Sequence, residues 1–328
     1  MTFANVYNGK TVLVTGATGL IGSNLARRLA TFEGIRLILM GRSADKLHSV
    51  FGDLVSKGVA MALAHDVSTP IPESVGAVDC VFHAAGPISG GVIRADPVSV
   101  INANLSGARN CLEYLVSQKR RTGRVGTMVV FSSATVYGNP VGVDRTCRED
   151  DTAVAEALDS VTAPYSESKR MVEVMARAYG RQYGVDVKIA RFGYVYGPCA
   201  IHPETAFYEF VAKAKRGEDL VFAKSGFARR DNIHVDDAVA GLLCICERGA
   251  TCEAYNVSSG GDGGNFAAID ELAERIAAAA NDMNGTRVRV VCENTRRAPG
   301  LMMANGKLKA LGWQIATPLA EGVRGLLG

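Results

Sequence analysis

Three side chains near the middle of the chain have the types and spacing needed to move a proton at a hydroxyl group. Tyr165 and Lys169 are four residues apart in the segment YSESK, so a helix would place both on one face. A nearby ammonium favours the tyrosinate and lowers the pKa of the phenol. Ser133 ends a predicted strand and can hydrogen-bond the same substrate oxygen. The three residues therefore predict a catalytic centre in which Tyr165 takes or gives a hydroxyl proton.

A glycine-rich turn near the start of the chain, TGATGLIG from Thr15 to Gly22, follows a predicted strand and opens a predicted helix. Its first glycine permits the tight turn, the second lets the backbone approach a pyrophosphate, and the third lets the helix pack against the sheet. Phosphates then meet the N–H groups and positive dipole end of the helix. We therefore expect a nicotinamide dinucleotide that exchanges hydride beside Tyr165. Its predicted contacts are Gly16, Thr18, Gly19, Leu20, Ile21 and Gly22.

The end of the second predicted strand bears on which dinucleotide is bound. An acidic residue about 20 positions after the glycine turn would bind the ribose hydroxyls of NAD. Here the chain reads MGRS, without a carboxylate. Arg42 can instead pair with the 2′-phosphate of NADP, the alternative being an ordinary solvated arginine. The sequence thus favours NADP over NAD, with contacts at Gly41 and Arg42.

Two further strand ends supply candidate contacts, because ligands of open α/β sheets bind at the carboxyl ends of strands. Asp66 follows the third strand and either accepts from the adenine amine or caps a helix. The fourth strand ends in HAAG, where small side chains let the backbone lie against a cofactor. The predicted contacts are Asp66, Val67, Ala84, Ala85 and Gly86.

Alternating segments of strand and helix type position these residues. Short apolar, β-branched runs predict strands at residues 10–15, 35–40, 59–64, 78–83, 127–132 and 185–190. Amphipathic segments between them predict helices at 21–31, 98–118 and 165–183. Such alternation is typical of an α/β fold with a doubly wound, Rossmann-type parallel sheet.

Beyond about residue 192 the alternation breaks down, which predicts a smaller, discontinuous C-terminal lobe that binds the substrate. A helix at 236–247 and a strand at 254–257 are expected to return to the main sheet. We therefore predict a dinucleotide-binding domain at 1–191 plus about 231–258, and a substrate-binding lobe at 192–230 and 259–328.

Composition narrows the classes of partner. Among 328 residues the net charge is only +3, which argues against nucleic acid as a partner. The eight scattered cysteines are expected to be free thiols in a reducing compartment. The N-terminal residues lack a signal-peptide pattern, and no apolar run approaches the roughly 20 residues of a membrane span. We expect a cytoplasmic protein without membrane contact.

Motifs along nearly the whole chain resemble the NAD-dependent epimerase/dehydratase family, the extended branch of the short-chain dehydrogenases/reductases. They are TGATGLIG, HAAG, NLSGARN from Asn104, SSATVYG from Ser132, YSESK, RFGYVYGP from Arg191, RDNIHVDD from Arg230, YNVSSG from Tyr255 and a late LGW. The resemblance implies catalysis by Ser133, Tyr165 and Lys169. It also implies that Asn104 places substrate or nicotinamide, that Arg230 contacts a substrate diphosphate, and that two helices starting near Val98 and Tyr165 form a homodimer.

The residues after Ser133 bear on the reaction within that family. Dehydratases and decarboxylases of the family carry an extra acid or base there, whereas this chain has Ala134 and Thr135. The segment instead resembles that of UDP-hexose 4-epimerases, which predicts a nucleotide-diphosphate sugar as substrate. Its implied contacts are Asn104, Ser133, Thr135, Tyr194, Arg230 and Arg297.

Three departures from the epimerase pattern keep an NADPH-dependent reductase of a 4-keto sugar, or of another carbonyl substrate, as the alternative. Tyr194 replaces an asparagine, Arg297 offers only an out-of-register substitute for a late arginine, and Arg42 points to NADP. A dehydrogenase of a non-nucleotide alcohol or ketone is a third interpretation. A redox sensor or scaffold that binds the cofactor without turnover is less favoured, since the three catalytic residues are all present.

Two clusters have competing interpretations. Arg229–Arg230 and Arg296–Arg297 either converge on a diphosphate, which arginine forks suit, or are separate surface arginines. His234 with Asp236 and Asp237 suggests a metal site, but these residues continue the family's RDxIHVxD segment, so we predict no metal.

Overall fold

The computed structural model describes residues 6–86, 90–138, 142–154, 156–222, 227–292 and 297–328, without the side chains of Phe227 and Arg297. Its strands are β1 (Thr11–Thr15), β2 (Arg36–Gly41), β3 (Ala60–Ala64), β4 (Cys80–His83), β5 (Thr127–Ser133), β6 (Arg145–Cys147), β7 (Asp186–Phe192), β8 (Tyr194–Tyr196), β9 (Leu220–Phe222), β10 (Phe227–His234), β11 (Ala254–Val257), β12 (Phe266–Ala267), β13 (Val290–Cys292) and β14 (Arg297–Met303).

The helices in the same ranges are α1 (Leu20–Leu29), α2 (Ala44–Ser56), α3 (Gly90–Ala95), α4 (Pro97–Thr122), α5 (Ala163–Tyr183), α6 (Ala206–Lys215), α7 (Val235–Arg248), α8 (Ile269–Asn284), α9 (Gly306–Ala310) and α10 (Leu319–Leu327). None of them is long and apolar enough to cross a membrane.

A seven-stranded parallel sheet forms the centre of the molecule, in the order β11-β7-β5-β4-β1-β2-β3. The order reverses direction at β1, so the carboxyl ends of β1 and β4 flank a crevice of the kind that binds ligands in doubly wound sheets. This confirms the predicted Rossmann-type fold. The strand predicted at 254–257 does return to the sheet, where Tyr255 pairs with Ala190 of β7.

Helices cover both faces of this sheet. α1, α2 and α7 pack in one apolar cluster that continues into the C-terminal helices, and α4 and α5 pack in the other. We did not predict α2, although its buried residues Leu47, Val50, Phe51 and Leu54 follow helical spacing and Ser43 caps its first turn by accepting from the Lys46 amide.

The remaining strands form two smaller sheets beyond the carboxyl edge of the main one. One has the order β12-β10-β14-β6 with β8 also paired to β10, and the other joins β9 to β13. β8 follows β7 after a single residue, so the smaller sheet begins at the carboxyl edge of the main sheet. The division into two domains at the boundaries given above stays a prediction.

Candidate functional site

The carboxyl end of β5 and the first turns of α5 bring Ser133, Tyr165 and Lys169 together. Lys169 is buried, its Nζ lies 5.7 Å from the centroid of the Tyr165 ring, and it donates a 2.8 Å hydrogen bond to the carbonyl of Phe131. Ser133 interacts with the Tyr165 phenol. A phenol, a hydroxyl and an ammonium therefore converge at one strand end.

The expected lowering of the Tyr165 pKa is wrong. Burial raises the pKa of the Tyr165 phenol, and the Ser133 hydroxyl opposes only part of that rise. Burial also lowers the pKa of Lys169 from 10.5 to about 8. Sequence spacing indicated that the two groups are neighbours, but it carried no information on how much water each would lose.

Asn104 of α4 faces the same centre. Its Nδ2 donates to the Ser168 hydroxyl at 2.8 Å, while its buried Oδ1 has no partner among the described residues. A Cβ on Gly86 would lie 2.5 Å from this Oδ1 and 3.5 Å from Lys169 Nζ. A side chain at position 86 would therefore have to displace the Asn104 amide, and the unpaired Oδ1 is available to a ligand that donates a hydrogen bond.

The glycine turn between β1 and α1 has no space for side chains at two positions. Gly16 has φ +63°, and a Cβ there would meet the backbone of Ala84 and Ala85 at 2.7 Å. A Cβ on Gly22 would lie 2.4 Å from the Gly16 carbonyl oxygen. The Thr15 side chain also accepts from the Ala85 amide at 3.3 Å, which closes the β1 and β4 ends against each other.

Other predicted cofactor contacts lie at this turn. Thr18 is half-buried, Gly19 is exposed immediately before α1, and Leu20 and Ile21 open the helix. First-turn amides of a helix lack intrahelical partners and attract phosphate. The cradle of Gly16 and Gly22, the helix start and the unpaired Asn104 Oδ1 together fit a nicotinamide dinucleotide, which these groups would hold.

The outer end of this crevice is open. Arg42 follows β2, is exposed, and has no hydrogen-bond or ion-pair partner in the described part of the chain. Asp66 accepts from the amide and hydroxyl of Ser68, at 2.9 and 2.8 Å. Those bonds chiefly, with help from Arg42, lower the pKa of Asp66. Asp66 thus lies in a turn and caps no helix, and beside it Gly41 is half-buried and Val67 buried.

The arginines of the predicted cluster differ in whether they have acidic partners. The exposed Arg230 guanidinium stacks 5.1 Å from the centroid of the Tyr194 ring and has no acidic partner among the described residues. Arg229 instead pairs with Glu271 at 3.3 Å and Asp144 at 3.9 Å. Arg297 begins β14 opposite Phe227, but its side chain, like all of Arg296, lies outside the described residues.

The stretch after Ser133 forms a short 3₁₀ turn at Ala134–Tyr137. The Thr135 amide donates to the Ser133 hydroxyl at 3.3 Å, and the Thr135 side chain is exposed. Neither Ala134 nor Thr135 supplies a carboxylate. No cluster of metal-ligating side chains occurs in the described ranges.

Sequence reasoning missed one group next to this centre. Glu173 is buried one turn after Lys169 and receives hydrogen bonds from Ser132 and Arg191. The signal that could have found it is its spacing, since residues 165, 169 and 173 share one helix face. A buried glutamate needs a partner, which would have directed attention to Arg191.

Comparisons with known proteins identify the family of this chain. The model of the NAD dependent epimerase/dehydratase family matches residues 12–258. UDP-glucuronic acid decarboxylase 6 of Arabidopsis thaliana is 30% identical over 323 residues, which covers 95% of this chain and 86% of that protein.

Solved structures of similar fold have different activities. UDP-glucose 4-epimerase of Thermotoga maritima, crystallised with UDP-glucose, has a TM-score of 0.78 at 22% identity, covering 97% of both chains. dTDP-glucose 4,6-dehydratase of Bacillus anthracis, in complex with NAD, has a TM-score of 0.76 at 20% identity, covering 97% of this chain and 95% of that one. On the family match, this chain is a member of the NAD-dependent epimerase/dehydratase family of enzymes.

Proposed function

We propose that this chain is an NAD(P)-dependent epimerase of a nucleotide-linked sugar, similar in reaction to the UDP-hexose 4-epimerases. The observation that carries the proposal is the turn after Ser133. This turn places Ala134 and Thr135 beside a complete Ser133–Tyr165–Lys169 centre. Neither side chain can take a proton from a carbon atom of the substrate. Epimerisation by oxidation and re-reduction at one carbinol carbon needs no such group.

In this proposal Tyr165 takes the proton of the sugar hydroxyl and later returns it. Ser133 hydrogen-bonds the same oxygen and orients it toward the phenol. Lys169 lies beside the Tyr165 ring and binds the ribose nearest the nicotinamide. The unpaired Asn104 Oδ1 accepts a hydrogen bond from the nicotinamide carboxamide or from the substrate. The dinucleotide, when bound, supplies the acceptor and donor of hydride.

The cofactor is proposed to be NADP or NAD, with NADP favoured by the exposed, unpartnered Arg42. Asp66, close enough for Arg42 to lower its pKa, would face the adenine. Against this preference, the dehydratase of similar fold was solved with NAD. An epimerase returns its hydride in each cycle, so either dinucleotide suffices chemically.

For the substrate we propose a nucleoside diphosphate sugar whose diphosphate meets Arg230. Its guanidinium is stacked on Tyr194 and has no acidic partner in the described ranges, whereas Arg229 is held by Asp144 and Glu271. Thr135 would line the sugar pocket.

An NADPH-dependent reductase of a nucleotide-linked 4-keto sugar is the second candidate, because the same centre would then use Arg42 to select the phosphorylated cofactor. Decarboxylation and dehydration, the activities in the names of two similar proteins, are disfavoured by Ala134 and Thr135.

We also propose a cytoplasmic homodimer that joins through α4 and α5. Val98 on α4 and Met171 and Val174 on α5 are exposed apolar side chains. Met171 and Val174 also line an open groove of about 630 Å³, to which α4 contributes Ile101 and Leu105.

The test is the chromatographic identity and the mass of the product. The purified enzyme is incubated with NAD or NADP and a panel of UDP- and dTDP-linked hexoses and hexuronic acids. An isobaric product without net change in cofactor supports epimerisation. Loss of carbon dioxide or of water would replace the proposal with decarboxylation or dehydration, and consumption of NADPH with a 4-keto sugar would support the reductase.

A further inference from the structure

A buried ionic group lies directly behind the catalytic serine. The Glu173 carboxylate, 4% exposed, accepts from the Ser132 hydroxyl at 2.6 Å. It also accepts from Arg191 Nε and Nη2, both at 2.8 Å, and from Arg177 Nη1 at 3.1 Å. Burial alone would raise the pKa of Glu173, but these donors keep that pKa below its usual value. The carboxylate is therefore charged and fully engaged.

Arg191 continues the group toward the small sheet. Its Nη1 donates to the Tyr137 hydroxyl at 2.8 Å and to the Glu149 carbonyl at 3.0 Å. Its guanidinium lies 4.9 Å from the centroid of the Tyr137 ring. Tyr137 in turn donates to Asn256 Oδ1 at 2.7 Å. Arg191 thus ties the turn after Ser133 to β7, and Tyr137 ties the same turn to β11.

Ser133 lies between these two attachments. Ser132, immediately before it, is held by Glu173, and Tyr137, at the end of the following turn, is held by Arg191. The backbone before Ser132 is fixed too, because Lys169 donates to the Phe131 carbonyl. Glu173 follows Lys169 by one helical turn, so α5 is hydrogen-bonded to two consecutive residues at the end of β5, Phe131 and Ser132.

We propose that Glu173 and Arg191 are positioning residues, which hold the Ser133 hydroxyl at the Tyr165 phenol by bracing β5 and the following turn against α5. The inference rests on the proposed function for the roles of Ser133 and Tyr165. The geometry goes beyond a simple stabilising ion pair, since Glu173 and Arg191 also bond three neutral groups, namely the Ser132 hydroxyl, the Tyr137 hydroxyl and the Glu149 carbonyl. The bonds to Ser132 and Tyr137 lie at the end of β5 and in the turn after Ser133, and the bonds to Glu149 and Asn256 tie Arg191 and that turn to neighbouring segments.

The test follows the ionisation of Tyr165 without any substrate, so it stays informative if the proposed reaction is wrong. A monofluorinated tyrosine is incorporated at position 165, and its titration is read by fluorine NMR. Two variants loosen the brace: Ser132→Ala, which removes one hydrogen bond, and the double variant Glu173→Gln with Arg191→Met, which removes both buried charges together and so leaves neither unpaired.

We expect the pKa of Tyr165 to rise by about half a unit or more in both variants, as in Ser133→Ala, because the stabilising serine bond is lost. Removing the Glu173 charge alone would have the opposite sign, because loss of a nearby anion favours the phenolate. Lys169, with a pKa of about 8, and His83, with a pKa of about 3, are present in every variant.

The matched control is Glu113→Gln, which removes a carboxylate bonded to Tyr179 on the same helix α5, away from Ser133. It should leave the Tyr165 titration unchanged. An unchanged or lowered Tyr165 pKa in folded Ser132→Ala protein would overturn the proposal, as would equal shifts in the control. If the double variant fails to fold, Ser132→Ala with its intact ion pair still decides the question.

Discussion

The two ends of the site are built differently. At the chemical end Lys169, Asn104 and Glu173 are buried, and each is bonded to a neighbouring element. At the outer end Arg42, Asp66 and Arg230 are exposed, and the two arginines have no acidic partners in the described ranges. Buried groups held by several bonds keep one geometry, whereas exposed cations depend on what binds them.

This difference separates what the fold determines from what it leaves adjustable. The proposed proton-transfer centre is set by close packing of β4, β5, α4 and α5, so on this proposal its chemistry follows from the fold. In our proposal the choice of cofactor phosphate and of substrate rests on side chains at the rim, where one substitution would change recognition without disturbing packing. The following predictions test that division.

The largest effect is expected at the chemical end. Tyr165→Phe removes only the hydroxyl and should reduce turnover of any accepted sugar nucleotide about 10³-fold, because proton transfer loses its acid and base. Turnover is measured by chromatography of the products. The thermal unfolding midpoint should stay close to that of the wild type. Retained turnover would remove Tyr165 from the reaction.

The cost of burying Lys169 should appear in the pH dependence of stability. Its folded pKa of about 8 lies below the ordinary 10.5, so between these pH values the unfolded chain binds a proton that the folded chain has released. Stability from this residue therefore rises with pH across that window, by about 3 kcal/mol. The free energies of unfolding of wild type and Lys169→Met, measured by urea titration at several pH values, should therefore differ by an amount that changes across this window. Parallel curves would show that Lys169 is not desolvated.

The glycine cradle should be less tolerant than an open glycine of the same secondary structure. Gly22→Ala places a Cβ 2.4 Å from a backbone oxygen and should cost about 1–3 kcal/mol of stability, with weaker dinucleotide binding. Gly325→Ala in α10 meets nothing within 4 Å and should be neutral or slightly stabilising. Denaturant unfolding and fluorescence titration with NADPH compare the two; equal effects would contradict the cradle.

The smallest effect is expected at the rim. Arg42→Ser should weaken NADPH binding about tenfold and leave NADH binding unchanged, because one charge-assisted contact to the 2′-phosphate is lost. Arg36→Ser, at the opposite end of β2, serves as the control. If NADPH affinity is the same in Arg42→Ser and wild type, Arg42 is an ordinary surface residue and the predicted preference for NADP is wrong.

The sequence predicted the sheet and its main helices well, because apolar runs, glycine turns and helical spacing are local signals. Other features depended on distant segments. Arg229 and Arg230 are neighbours in the chain, yet only Arg229 meets Asp144 and Glu271. The raised pKa of Tyr165 reflects burial by elements that spacing does not reveal. The sequence pattern therefore could not predict which distant residues become partners, or how much water each side chain loses on folding.

The most direct test of the proposed reaction follows one hydrogen atom. A UDP-hexose deuterated at carbon 4 is converted by the purified enzyme in ordinary water, and the product is examined by mass spectrometry and NMR. The account predicts the 4-epimer with deuterium retained at carbon 4 and no net consumption of cofactor. A product that has lost carbon dioxide or water, or deuterium released to the free dinucleotide, would contradict it.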